Sequence, residues 1–262
     1  MRLPPLTIGF FVLLVGLMGC QTVAPSDPKL SDLGPPTAVV PLPLALATPA
    51  TVPLTSTPEP ATAVPTPTPT VTATLPPTAT PCATPGHIET GTFPSLTAGA
   101  MAYRVYLPPC YGVDGRTYPT LYLLPGNIHT DAIWDTLGAD ETAEAGILAG
   151  SWPPFLIVMA DGGWIANNSS GGSGSYESVI LNELIPYVEQ TYCAWAEPAG
   201  RAMGGLSRGG YWALEIAFRF PEQFASVGGH SAALLDTHAW PAVDPQHTGL
   251  SQNLGNLRIY LD

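Results

Sequence analysis

The run Gly204-Gly205-Leu206-Ser207-Arg208-Gly209-Gly210 constrains this chain more than any other segment. A serine with glycine two residues before and two residues after it suits a sharp turn from a strand into a helix. Larger side chains at those positions would collide across the bend. The motif therefore demands a strand on one side and a helix on the other. Ala202-Met203 supplies a short apolar approach. Downstream, Ala213, Ile216, Ala217 and Phe220 fall at i, i+3, i+4 and i+7, a single helical stripe that Pro221 ends. Gly209 and Gly210 let the first turn of that helix lie close under a sheet. A look-alike at Gly171-Gly172-Ser173-Gly174-Ser175 lacks the closing glycine and any flanking strand, and reads as a loop.

The elements around this turn alternate. Ile88 to Phe93 and Met101 to Leu107 read as two strands joined by a Ser/Gly turn, an antiparallel pair. Tyr118 to Leu124 and Phe155 to Met159 are apolar runs without alternation, the pattern of strands buried on both faces of a parallel sheet. Ala132 to Leu148 reads as a helix between them. Glu177 to Thr191 carries a stripe at Ile180, Leu181, Leu184, Ile185 and Val188, with Pro186 expected to kink it. Ser226 to Gly229 and Leu257 to Leu261 close the series as strands. Such alternation predicts an α/β fold, a doubly wound, mostly parallel sheet whose chemistry gathers at the C-terminal strand ends. Pro125-Gly126, Asp161-Gly162 and Ser207 all fall at such ends.

Tyr106-Leu107-Pro108-Pro109, Tyr118 to Gly126, Glu183-Leu184-Ile185-Pro186 and Gly205 to Gly210 occur in the order in which they stand in a known family. From about Ile88 to Asp262 the chain resembles the Putative esterase family of α/β-hydrolases. That family includes esterase D (S-formylglutathione hydrolase), feruloyl and acetylxylan esterases, enterochelin esterases and mycolyltransferases. The resemblance implies an α/β-hydrolase fold and a serine carboxylesterase that works through an acyl-enzyme on Ser207. The backbone N–H groups of Arg208 and, by family position, Asn127 would form the oxyanion hole. The family usually has His-Gly where this chain has Pro125-Gly126, which bears on the pose of that loop. In the family the triad acid follows the strand represented by Leu257 to Leu261, and the histidine follows one strand later. On that pattern the chain is expected to be C-terminally truncated and, as written, to turn over esters poorly. Asp236 with His247 is the weaker substitute pair, His230 stands at a strand end near the site and is expected to be structural, and Asp262 is either the acid itself or, as family spacing favours, the residue before a Gly-containing turn. Two other functions share these residues: an acyltransferase on the same scaffold, and a non-catalytic surface binding module.

The N-terminal third is of another kind. Arg2, the apolar run Leu6 to Met18 and Leu17-Met18-Gly19-Cys20 read as a signal peptide, residues 1–20, whose end resembles a bacterial lipobox. That implies lipid on Cys20, a membrane anchor and an exported, outward-facing domain. Residues 21–86 are mostly Pro, Thr, Ala and Val, a stalk without the large apolar groups needed for a core. Roughly 60 residues at ~3 Å each would reach about 200 Å at full extension. From residue 87 the chain holds all six tryptophans, six arginines, no lysine and seventeen carboxylates, a net −11. So acidic a surface argues against nucleic acid as a partner. No Cys-x-x-Cys or His/Cys cluster suggests a metal site, and no cofactor is expected. Cys110 follows a strand and Cys193 ends a helix, so these two are the expected disulfide, with Cys82 left in the stalk.

Overall fold

A computed structural model describes residues 83–113, 115–167, 171–235 and 239–262. Cys20, most of the stalk, Cys82, Asp236 and His238 lie outside the described residues. The chain first forms a hairpin, β1 (His87–Ser95) against β2 (Gly99–Leu107), antiparallel from His87↔Leu107 to Ser95↔Gly99. Gly99 turns it at φ +79°, and Ser95 Oγ accepts the N–H groups of Thr97 (3.2 Å) and Ala98 (2.8 Å). The following strands are β3 (Thr120–Leu124), β4 (Leu156–Ala160), β5 (Arg201–Leu206), β6 (Ser226–His230) and β7 (Arg258–Leu261). Their order in the sheet is β1-β2-β4-β3-β5-β6-β7. β2 meets β4 antiparallel, and every pairing from β4 to β7 is parallel. β4 is buried at all five positions, which is why Leu-Ile-Val-Met-Ala shows no alternation.

Helices cover both faces. α3 (Tyr176–Val179), α4 (Ile185–Thr191) and α5 (Arg208–Arg219) pack on one side, where Tyr122, Val158, Met203 and Val227 meet Val179, Leu184, Trp212 and Ile216. On the other side Leu123, Ile157 and Met159 pack with Ala143 of α2 (Ala139–Leu148) and with Trp134 of α1 (Ile133–Thr136). The C-terminal ends of β3, β4, β5 and β6 consequently share one rim.

Two helical expectations are corrected. Ala132 to Leu148 is two helices, because Gly138 takes φ +82° and breaks the ladder between α1 and α2. The kink expected at Pro186 is a π-helical turn, Ile180–Leu184, between α3 and α4. Proline has no N–H for the carbonyl one turn earlier, and widening that turn accommodates the loss. A further helix, α6 (Pro245–Ser251), precedes β7. Asp244 caps it, its side chain accepting the Gln246 N–H at 2.9 Å.

Candidate active site

Ser207 sits between β5 and α5 with φ +54° and ψ −111°, a backbone conformation that a non-glycine residue rarely adopts. The surroundings hold it there. Its N–H donates to His230 O (2.8 Å) on the adjoining strand end, and its carbonyl accepts from Ala233 N (2.9 Å) and Tyr211 N (3.0 Å). The flanking glycines are sterically required. A Cβ on Gly205 would overlap the Gly209 carbonyl and lie 2.6 Å from Gly210 N. A Cβ on Gly209 would overlap the Leu124 carbonyl and lie 2.6 Å from Pro125 O. The helix start is thus pressed against the end of β3.

Leu124 pairs with Gly205 in register; Asn127, in the loop after β3, and Arg208, at the start of α5, each follow that pair by three residues. Asn127 is exposed, while the Arg208 side chain is buried. The loop carrying Asn127 is tied at its far end, where Arg104 pairs with Asp131 (3.0 Å) and Asp135 (2.8 Å). Trp134 Nε1 donates to Leu124 O at 3.0 Å. None of these ties uses the Pro125 side chain.

The Arg208 guanidinium is turned to the loop after β4. Nε donates to Ala166 O (2.8 Å) and Nη2 to Asn167 O (2.7 Å), while Trp212 Nε1 shares the Ala166 carbonyl (2.8 Å). Burial lowers the pKa of this guanidinium. One residue therefore offers its main chain to the site and its side chain to the loop after β4.

The structure also joins two residues that sequence reasoning kept apart. His230 Nδ1 lies 2.8 Å from Asp262 Oδ2, and Asp262 Oδ1 accepts the Ser231 N–H at 3.0 Å. Those contacts hold the Asp262 carboxyl below its usual range, the His230 hydrogen bond first. The His230 ring also stands edge-on to Trp134, 5.6 Å between centroids. The available signal was positional, since both residues end adjacent parallel strands. His247 instead faces Asp244, Nδ1 to Oδ2 3.4 Å. His129 is half-buried, its N–H donating to Gly126 O (3.0 Å). Cys110 and Cys193 are both in disulfide linkage, and Tyr118 touches each, its hydroxyl donating to Cys110 O (3.4 Å) and its N–H to Cys193 O (2.8 Å). Among the described residues no group of three or more His, Cys, Asp or Glu side chains could hold a metal ion.

The Putative esterase family matches this sequence over residues 95–262. The chain belongs to that family. Esterase Rv1288 of Mycobacterium tuberculosis is 39% identical over 133 residues, 49% of this chain and 28% of the relative. The endo-1,4-beta-xylanase/feruloyl esterase of Xylanibacter ruminicola is 36% identical over 155 residues, 55% of this chain and 21% of the relative. The chain thus spans under a third of the length of these two relatives. Among solved structures, a ferulic acid esterase superposes with a TM-score of 0.54 at 25% identity, covering 63% of this chain and 68% of its own. An S-formylglutathione hydrolase from Staphylococcus aureus shares the fold, with a TM-score of 0.54 at 18% identity, covering 67% and 79%. The esterase-family sheet is thus of the α/β-hydrolase type.

Proposed function

We propose that this esterase-family chain is a serine carboxylic-ester hydrolase whose nucleophile is Ser207. The observation that carries the reading is the Ser207 backbone, held at φ +54° by hydrogen bonds to the β6 end and by glycines whose replacement would strike main chain. Strain kept in place by so many contacts is the mark of a preorganised nucleophile. Ser207 Oγ attacks the ester carbonyl, and the N–H groups of Arg208 and Asn127 receive the negative charge that develops on its oxygen. As the Ser207 Oγ–carbon bond forms, the serine proton passes to the departing alkoxide, which leaves as the alcohol; water then adds to the serine ester, releases the acid and returns a proton to Ser207 Oγ. His230 and Asp262 we assign a positioning role, since the His230 carbonyl holds Ser207 N while its ring locks the β6 and β7 ends together. A fluorophosphonate probe on the full-length protein tests the nucleophile. Ser207 should be the labelled serine, and labelling that persists in Ser207→Ala would sink the assignment.

The ferulic acid esterase likeness and the feruloyl esterase relative support esters of a polymer or of a small acid as substrates. The short apolar run ending at Cys20 supports export and a lipid anchor, with the stalk lifting the domain from the membrane. Cys20→Ala should then release the protein into the soluble fraction, whereas unchanged membrane retention would refute anchoring through this residue.

A further inference from the structure

A cavity of about 390 Å³ lies at the opposite end of the sheet from Ser207, where β3, β5, β6 and β7 begin. A row of paired positions crosses it: Leu121 beside Ala202, Ala202 beside Ser226, and Ser226 beside Arg258. Phe155, Pro119 and Pro153 also line it. From Ala202 to Ser207 the chain runs five residues along β5, about 15 Å, so whatever enters here is far from the ester carbonyl.

The cavity is held open by main chain. Arg258 N–H donates to Ala225 O (3.1 Å), Ala225 N–H to Arg201 O (2.8 Å) and Leu156 N–H to Pro119 O (2.8 Å). Its charge is uneven. Arg201 borders it, but Glu189 of α4 takes that guanidinium at Nε (2.6 Å) and Nη2 (3.1 Å). Arg104 and Arg219 are likewise paired with carboxylates, and Arg208 is spent on carbonyls. The Arg258 guanidinium is exposed and has no hydrogen bond or ion pair among the described residues. From residue 87 the chain carries seventeen carboxylates and six arginines, yet none of those carboxylates claims Arg258 and no Asp or Glu lines the cavity.

A cation left open among so many acids is available to an anion brought from outside. Its planar fork suits a carboxylate, and the Ser226 hydroxyl, on the neighbouring strand, is a further donor. One guanidinium balances one charge, and a dianion would keep a surplus in a domain that is already net acidic. The remaining surface, Phe155 with two prolines, Leu121 and Ala202, suits an apolar body. We propose that this cavity is a second ligand site, which takes a small apolar monocarboxylate with its anionic end on Arg258 and Ser226. Neither the cavity nor its ligand depends on the chemistry of Ser207.

The full chain is titrated with hexanoate by ligand-observed NMR, with hexanamide as the neutral comparison and hexyl phosphate as the dianion. Hexanoate should bind saturably with Kd of about 1–5 mM, and hexanamide at least about tenfold more weakly. Arg258→Gln should bring hexanoate to the level of hexanamide, whereas Arg258→Lys should keep part of the binding, because the charge stays and the fork is lost. Arg258 is exposed, so both variants should keep the melting temperature and the fluorophosphonate labelling of Ser207. The proposal is overturned if hexanamide binds as well as hexanoate or if hexanoate binding survives Arg258→Gln, which would place the acid elsewhere on the protein. Tighter, Arg258-dependent binding of hexyl phosphate would also overturn it, as the mark of a phosphate site. Failure of labelling at Ser207 in the unsubstituted chain would remove the esterase reading and leave a measured carboxylate site in place.

Discussion

Replacing Glu215 by Gln should make the protein more stable at neutral and alkaline pH. Glu215 lies on α5, the helix that starts at the Ser207 turn, and its side chain is wholly buried. Glu177 of α3 is nearly as buried beside it. Two carboxyl groups share a single cation there. Arg219 Nη1 pairs with Glu177 Oε2 and also reaches Glu215 Oε1 at 3.0 Å. Glu177 Oε1 takes a second donor, Gly172 N at 2.8 Å, whereas Glu215 Oε2 has no partner. Glu215 is pushed up to about 9, by burial first and then by the neighbouring Glu177 carboxyl group.

The sign follows from proton counting. An unfolded glutamate titrates near ~4.3, so between that pH and about 9 the folded chain holds a proton that the unfolded chain releases. Stability from this group is complete below the unfolded value, falls as pH rises through the window and levels off above about 9. The limiting slope is about 1.4 kcal/mol per pH unit, so moving from pH 6 to pH 8 costs about 2–3 kcal/mol. Gln has the shape of the neutral acid and cannot ionise, and it removes that slope. Urea unfolding of both proteins from pH 5 to pH 9 reads the effect. The curves should converge near pH 5 and separate in favour of Glu215→Gln by a few kcal/mol at pH 8. Parallel curves, or a loss in the variant that grows with pH, would show Glu215 to be a charged partner of Arg219 and refute the reasoning.

Two further outcomes are expected. Non-reducing peptide mapping should find Cys110 joined to Cys193; that bridge closes a loop of roughly 80 residues, worth about 4 kcal/mol at most from chain entropy, and a different partner for either cysteine overturns the pairing. In the full-length protein, His230→Phe should lower kcat less than about tenfold and leave the pH profile unmoved, because packing on Trp134 is kept and only the Asp262 contact is lost; a fall of about a thousandfold in kcat and kcat/KM together would make His230 the base for Ser207.

The fold was legible where one local rule decides. Glycines at 205 and 209 announce a bend no side chain could cross, and each has a main-chain neighbour where its Cβ would stand. The unbroken apolar run of β4 announces burial on both faces, and every position is buried. What stayed hidden depends on register and on long-range pairing, for which local composition carries no signal. Nothing near Arg208 in sequence says that its guanidinium grips carbonyls about forty residues earlier. His230 and Asp262 each look unremarkable alone, and they meet only because Ser226 pairs with Arg258 and the offset persists to the strand ends. The Glu177–Glu215–Arg219 cluster is the clearest case. Glu215 interrupts an otherwise apolar helix face and Glu177 stands in the first turn of α3, so each alone suggests a solvated charge. Packing α3 on α5 buries both against one arginine, and the result is a proton that the folded chain keeps and the unfolded chain does not. Tyr176 of α3 and Trp212 of α5 also hold the loop after β4 by its carbonyls, so the protonation of Glu215 and the pose of that loop depend on one interface.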